Sequence, residues 1–232
     1  VKRQLKEFDT VFQKRIIPLL AAHHIVLYQH QPDLPLHRDF IRTYFEEEIF
    51  PFLQPVLLLK DQIRSFLRGS RLYLAVRLYK KGGENASGPL YAVLKIPYAK
   101  VPRFIELPPY EGNYYLMFVE DVIGANLDVV FPGFRVEAYY SIRVSRDADF
   151  AVNDVNKGSL VDEIRRQVKK RKIGAYNRLV YDGNMPDEML RFLCETYRIP
   201  YNQCLASGKY LTLEDLIRLP NPTGIRLSYE IP

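Results

Sequence analysis

An α+β fold, with two N-terminal helices followed by a mixed, mostly antiparallel sheet and helices packed on it, is predicted by three observations. Apolar residues recur at helical spacing through the first 52 positions, and from Leu72 onward they alternate at period two. The later strands and helices are interspersed without a regular βαβ beat, which argues against a doubly wound parallel sheet. At 232 residues the chain has room for one large domain, or for a domain with an appendage.

Leu5, Phe8, Phe12, Ile16, Leu19 and Leu20 form the stripe of an amphipathic helix. Pro18 lies inside the stripe, so a kink or an early end near Ile17 is expected. His23 and His24 follow in an exit loop. A second helix starts after Asp33, a capping residue type, with Pro35 in its first turn. Its stripe is Ile41, Tyr44, Phe45, Ile49 and Phe52, and Pro51 limits its length. Joined by a loop over residues 23–34, the two helices are expected to pair antiparallel.

Residues 71–97 read as a hairpin. Leu72, Leu74, Val76 and Leu78 alternate with Tyr73, Ala75 and Arg77, and Gly82 to Gly88 is a turn cluster. The run Tyr91-Ala92-Val93-Leu94-Lys95-Ile96 is the returning strand. Further strands fit Phe104–Leu107 and Tyr114–Phe118. A short helix at 120–130 carries Glu120 and Asp121 in its first turn, where they oppose the positive end of the dipole, and Pro132-Gly133 stops it. A long β-rich run spans Phe134–Phe150. Helices are expected from Ser159, over Pro186–Arg198, and from Thr212 to Pro220, with a strand at Leu179-Val180-Tyr181.

Composition excludes whole classes. With 17 Tyr and 13 Phe, the chain is too aromatic for a disordered polymer. The longest aliphatic run, Val56-Leu57-Leu58-Leu59, falls far short of the roughly 20 residues of a membrane span. The excess of 33 basic over 27 acidic residues gives a net charge of +6, a mild preference for polyanions. Cys194 and Cys204 make no disulfide framework and read as reduced thiols of a cytoplasmic protein. No apolar core follows a charged lead at the N-terminus, so no signal peptide is read there, and the missing Met suggests a piece of a longer chain.

The usual catalytic signatures are missing. His23, His24, His30 and His37 all fall in the first 37 residues and read as surface histidines. There is no G-x-S-x-G, no Walker loop and no G-x-G-x-x-G. Asp147 and Asp149 share a strand face, as a metal-binding pair or, more simply, as an acidic solvent face. By period two Arg146 shares the apolar face of Ile142, Val144, Ala148 and Phe150, where a lone charge is costly. A structural ion pair with Glu120 or Asp121 is therefore expected. The densest basic run, Arg165, Arg166, Lys169, Lys170, Arg171 and Lys172, is either a solvated helix face or a contact strip for a polyanion.

Four segments in order resemble a known family. Val101-Pro102-Arg103-Phe104-Ile105-Glu106-Leu107-Pro108 is similar to the "P-R-F-hydrophobic-x-L-P" segment of polyphosphate kinases of the first type. Phe118 to Leu127, followed by Phe131-Pro132-Gly133, resembles their "F-hydrophobic-x-E-D-V-I-x-x-N-L … F-P-G". Ile142 to Phe150 resembles "F-R-V-T-R-D-A-D-L". Arg171, Gly174, Arg178-Leu179 and Met185-Pro186 follow the next stretch. The wording "H-P-F-P … S-N-L-S" is absent from residues 59–70, as is the opening "S-N-L-D-E-F-F".

The resemblance implies that residues 1–58 end an N-terminal helical domain, that 59–232 form the middle or head domain, and that two C-terminal catalytic domains are absent. It implies a parent phosphotransferase that passes the γ-phosphate of ATP reversibly to polyphosphate through a phosphohistidine outside this chain. ATP and magnesium serve the parent, and no cofactor, metal or catalytic residue is expected in this segment. The middle domain is implied to make homo-oligomer contacts, with no specific nucleic acid and no membrane span. The competing expectation is a stand-alone polyanion- or RNA-binding module using residues 165–172. A third is an enzyme whose site the motifs do not reveal.

Overall fold

The computed structural model describes residues 2–59, 67, 71–82, 88–146 and 176–224. The Pro18 expectation resolves into a change of helical winding. Helix α1 (Lys2–Val11) passes through a wide π turn at Phe12–Ile16 into α2 (Ile17–Ala22), with Pro18 in the first turn of α2. Proline has no N–H to donate and crowds the preceding turn, and a π turn accommodates both without ending the helix. Phe12, fully buried at that turn, packs edge-on against Phe118 and Tyr210.

The loop expected at 23–34 contains a strand. β1 (Ile25–Tyr28) runs parallel to β6 (Asn113–Phe118), with Ile25 opposite Tyr114, and β5 (Phe104–Tyr110) completes this three-stranded sheet on the other side of β6. Four apolar residues are too few to show a period, so only pairing with β6 reveals them as a strand. Helix α3 (Pro35–Tyr44) begins with Pro35 in its first turn, but Leu34, not Asp33, stands at its cap. A second π turn (Phe45–Ile49) carries the chain to Pro51. The two helical segments find their partners among strands: α1 packs on β9 (Cys204–Ser207) and α3 on β5.

A six-stranded sheet has the order β2-β4-β3-β7-β8-β9. Its strands are β2 (Pro55–Leu58), β3 (Leu72–Lys80), β4 (Leu90–Lys95), β7 (Phe134–Arg146), β8 (Tyr176–Asp182) and β9 (Cys204–Ser207). All neighbours are antiparallel except β8 and β9. The expected hairpin of β3 and β4 is present, with Val76 opposite Ala92. Alternation along β3 sorts its side chains into two cores. Leu72, Leu74, Val76 and Leu78 join Ile41, Phe45, Val122 and Ile123, whereas Tyr73 and Ala75 join Met189, Leu190 and Leu193. A bulge opposite Arg77/Leu78 accommodates Glu137, whose carboxylate reaches Arg77 at 2.9 Å.

The helix expected at 120–130 is broken at Asn126 into α4 (Val119–Ala125) and α5 (Leu127–Val130). The Asn126 side chain donates to the Val122 carbonyl at 2.8 Å and accepts from Arg42 at 3.1 Å. Helix α6 (Asp187–Tyr197) ends at Arg198, whose left-handed backbone (φ 55°) turns the chain toward β9. The last helix is a 3₁₀ turn (Leu213–Arg218). Thr212 precedes it in a left-handed conformation, with no side-chain cap. The helix expected from Ser159 lies outside the described residues. Among those described, no helix is long and apolar enough to cross a membrane.

Candidate functional site

The buried charges converge where β5, α4 and the segment after β9 meet. Arg103, just ahead of β5, is 7% exposed, and Glu120 in α4 is 1% exposed. Arg103 Nε and Nη2 both donate to Glu120 Oε1, at 3.2 and 2.8 Å. Nη1 donates to Asp215 Oδ2 at 2.8 Å and to the Thr212 carbonyl, and Nη2 also donates to the Leu211 carbonyl. A guanidinium has five N–H donors, and all five are used. Burial pushes the Glu120 carboxyl above its ordinary range, and the Arg103 guanidinium opposes that shift. Burial first, and the Glu120 carboxylate second, also raise the neighbouring Tyr98 hydroxyl.

Asp121, 1% exposed, anchors a second set of partners. Oδ1 accepts from the Tyr139 hydroxyl at 2.9 Å and from Lys209 Nζ at 2.7 Å, and Oδ2 accepts from the Tyr210 hydroxyl at 2.6 Å. Burial, then the Asp121 carboxylate, push both phenols far above the ordinary range, so they remain proton donors. The Tyr210 ring stacks on Phe118 with centroids 3.9 Å apart. Lys209 also donates to the Gln29 carbonyl. Gly124 is what lets Tyr139 approach α4, because a Cβ there would sit 2.1 Å from the tyrosine ring.

A cavity of about 340 Å³ opens beside Arg103, lined by Tyr98, Pro102, Phe104, Asp215 and Arg218. With its donors committed, Arg103 offers that cavity no free hook for an anion. The arrangement holds three chain segments in register. Among the described residues, no group of three or more His, Cys, Asp or Glu is placed to hold a metal ion.

The sequence-predicted residues meet different outcomes. Glu120 and Asp121 are central to the network, and their described partners are Arg103, Lys209, Tyr139 and Tyr210. The Arg146 side chain lies outside the described residues, although its backbone ends β7. Asp147, Asp149 and the basic run Arg165, Arg166, Lys169, Lys170, Arg171 and Lys172 also lie outside them. His23, His24 and His30 are exposed, but His37 is not: it is fully buried, 3.0 Å from the Tyr28 hydroxyl and 2.8 Å from the Pro108 carbonyl. Its position in the first turn of α3, facing β5, makes it a core histidine. Sequence reasoning missed Arg103 as a buried charge. Its signal was a lone cation between apolar neighbours, Val101-Pro102 and Phe104-Ile105.

Asp182, at the end of β8, is a further buried carboxylate (4% exposed). Its Oδ1 accepts from the Asn184 backbone and side chain at 2.9 and 3.0 Å. Burial is the largest influence and raises its pKa, against the opposing Asn184 bonds. A raised folded-state value means that the fold disfavours the ionised form, a penalty present above that value and relieved as pH falls through it. Asp182→Asn is therefore expected to raise Tm near neutral pH, with the gain shrinking as the pH is lowered to about 4. A gain independent of pH in thermal melts would contradict this assignment.

Comparison with known proteins places these residues in context. The sequence model of the polyphosphate kinase middle domain matches residues 36–219. The chain is 30% identical to a polyphosphate kinase of Vibrio parahaemolyticus over 224 residues, covering 93% of this chain and 31% of that protein. It is 28% identical to the polyphosphate kinase of Escherichia coli K12, covering 93% and 32%. The crystal structure of a polyphosphate kinase from Porphyromonas gingivalis superposes with a TM-score of 0.82 at 40% identity, over 99% of this chain and 32% of that one. The chain thus spans roughly a third of the length of the curated relatives it matches.

Proposed function

The chain belongs to the polyphosphate kinase family and carries its middle domain, and on that premise we propose that it acts as a scaffold, holding and pairing catalytic machinery encoded elsewhere in a longer enzyme. The parent transfers the γ-phosphate of ATP reversibly to polyphosphate through a phosphohistidine outside this chain, and the middle domain contributes to a homo-oligomer. The observation that carries this reading is the inward commitment of the buried charges. All five Arg103 donors and both Asp121 oxygens are used within the fold, leaving neither group for substrate. On the same reading, ATP and magnesium act in parts of the parent outside this chain.

The purified chain is expected to show no phosphate incorporation from ATP and magnesium, whereas the parent phosphorylates itself and extends polyphosphate. Phosphate transfer by the chain alone would defeat the scaffold reading. Sedimentation of the same preparation reads its oligomeric state. The competing polyanion- or RNA-binding reading rests on the run Arg165, Arg166, Lys169, Lys170, Arg171 and Lys172. Binding of polyphosphate or RNA that weakens steeply with salt, and is lost when these six are neutralised, would favour that reading instead.

A further inference from the structure

Two thiols outside the buried charge network are held together by the turn between α6 and β9. Cys194 lies near the end of α6, and Cys204 opens β9. The left-handed Arg198, the Ile199 N–H bonded back to the Cys194 carbonyl at 2.9 Å and a 3₁₀ turn at Tyr201–Gln203 reverse the chain. The two sulfurs end 3.2 Å apart, each residue 7% exposed. A disulfide needs about 2.05 Å between sulfurs, so closure requires a movement of only about 1 Å. Cys204 also lines an open cavity of about 480 Å³ with Lys6, Asp9, Tyr201 and Ser207, which brings a small oxidant to the Cys204 side of the pair, one sulfur–sulfur contact from Cys194.

We propose that Cys194 and Cys204 form a reversible dithiol–disulfide pair that ties the edge strand β9 to helix α6. The hydrogen bond between the two sulfurs lowers the Cys194 thiol from its ordinary range and raises that of Cys204, and Cys194 is taken as the attacking thiol. With hydrogen peroxide as oxidant, the Cys194 thiolate attacks one oxygen. The O–O bond breaks, leaving a sulfenic acid and hydroxide. Cys204 sulfur then attacks Cys194 Sγ; the S–O bond breaks, and the departing hydroxide takes the Cys204 proton as water. In sum, two thiols and one peroxide give one disulfide and two waters. β9 is the strand on which α1 rests, with Asp9 against Gly208, so the bond fixes the platform for the N-terminal helix. In a reducing compartment such a bond is transient, as a redox-responsive pair requires.

The chain contains only these 2 cysteines, so a thiol titre reports on them alone. Treating the folded chain with a few equivalents of peroxide is expected to take the titre from two to zero and lower the mass by about 2 Da. Dithiothreitol should restore both thiols. Peptides containing Cys194 and Cys204 should be joined in a non-reducing map, and Tm should rise by on the order of 5 °C. Survival of both thiols, separate oxygen adducts on each, or a bond between two chains would overturn the proposal. In Cys204→Ala, dimedone should trap a sulfenic acid on Cys194, and no adduct there would overturn the assigned order of attack. Mapping of the unaltered chain decides the pairing even where that variant does not fold.

Discussion

Arg103→Ala is expected to destabilise the chain by about 3–5 kcal/mol, read as a fall in the urea midpoint at constant m-value. The size follows from what stays behind. Glu120, 1% exposed, loses its only described cation, and Asp215 and the carbonyls of Leu211 and Thr212 lose their donor. Truncating one partner of a buried pair costs far more than the pair contributes in net terms, because the desolvated survivor is left uncompensated. Arg103→Lys should recover only part of the loss, since an ammonium cannot reproduce the planar five-donor fork. A loss below about 1 kcal/mol, the size of an exposed pair, would show that the guanidinium does not join these segments.

Asp121→Ala should cost about 2–4 kcal/mol, because the hydroxyls of Tyr139 and Tyr210 lose their shared acceptor, while Tyr210 stays buried and Tyr139 half-buried. Lys209 loses its carboxylate as well but keeps the Gln29 carbonyl, and its side chain is 31% exposed, so its share is the smaller. Tyr139→Phe, which removes a single donor, should cost about 1 kcal/mol. If both variants melted at the same temperature, Asp121 would not be the common anchor of these side chains.

Much of this architecture was legible in the residues. Alternation from Leu72 to Leu78 announced the strand, though not that both its faces are buried, and Pro35 marked the start of α3. The short strands were not legible. Ile25–Tyr28, Pro55–Leu58 and Cys204–Ser207 are four residues each, and they become strands because a longer partner supplies the ladder. Glu120 and Asp121 were noticed as acids in a helical first turn, yet the same helix carries Val119, Val122 and Ile123 on several sides. A helix apolar all round is buried, so its acids need partners. Which partners they take depends on folds in the chain 17 to 112 residues long, between Arg103, Glu120 and Asp215, and local pattern does not encode that.

The Lys209 bond to the Gln29 carbonyl spans 180 residues. A chain made from its N-terminus on a ribosome exposes Arg103, Glu120 and Asp121 long before residues 209–215 leave the exit tunnel. Until then those charges keep their water, because dehydrating them without partners is costly. Completion of the network therefore waits until residues 209–215 have emerged. Nascent chains arrested short of residue 209 should remain open to proteases that chains arrested well after residue 215 has emerged resist.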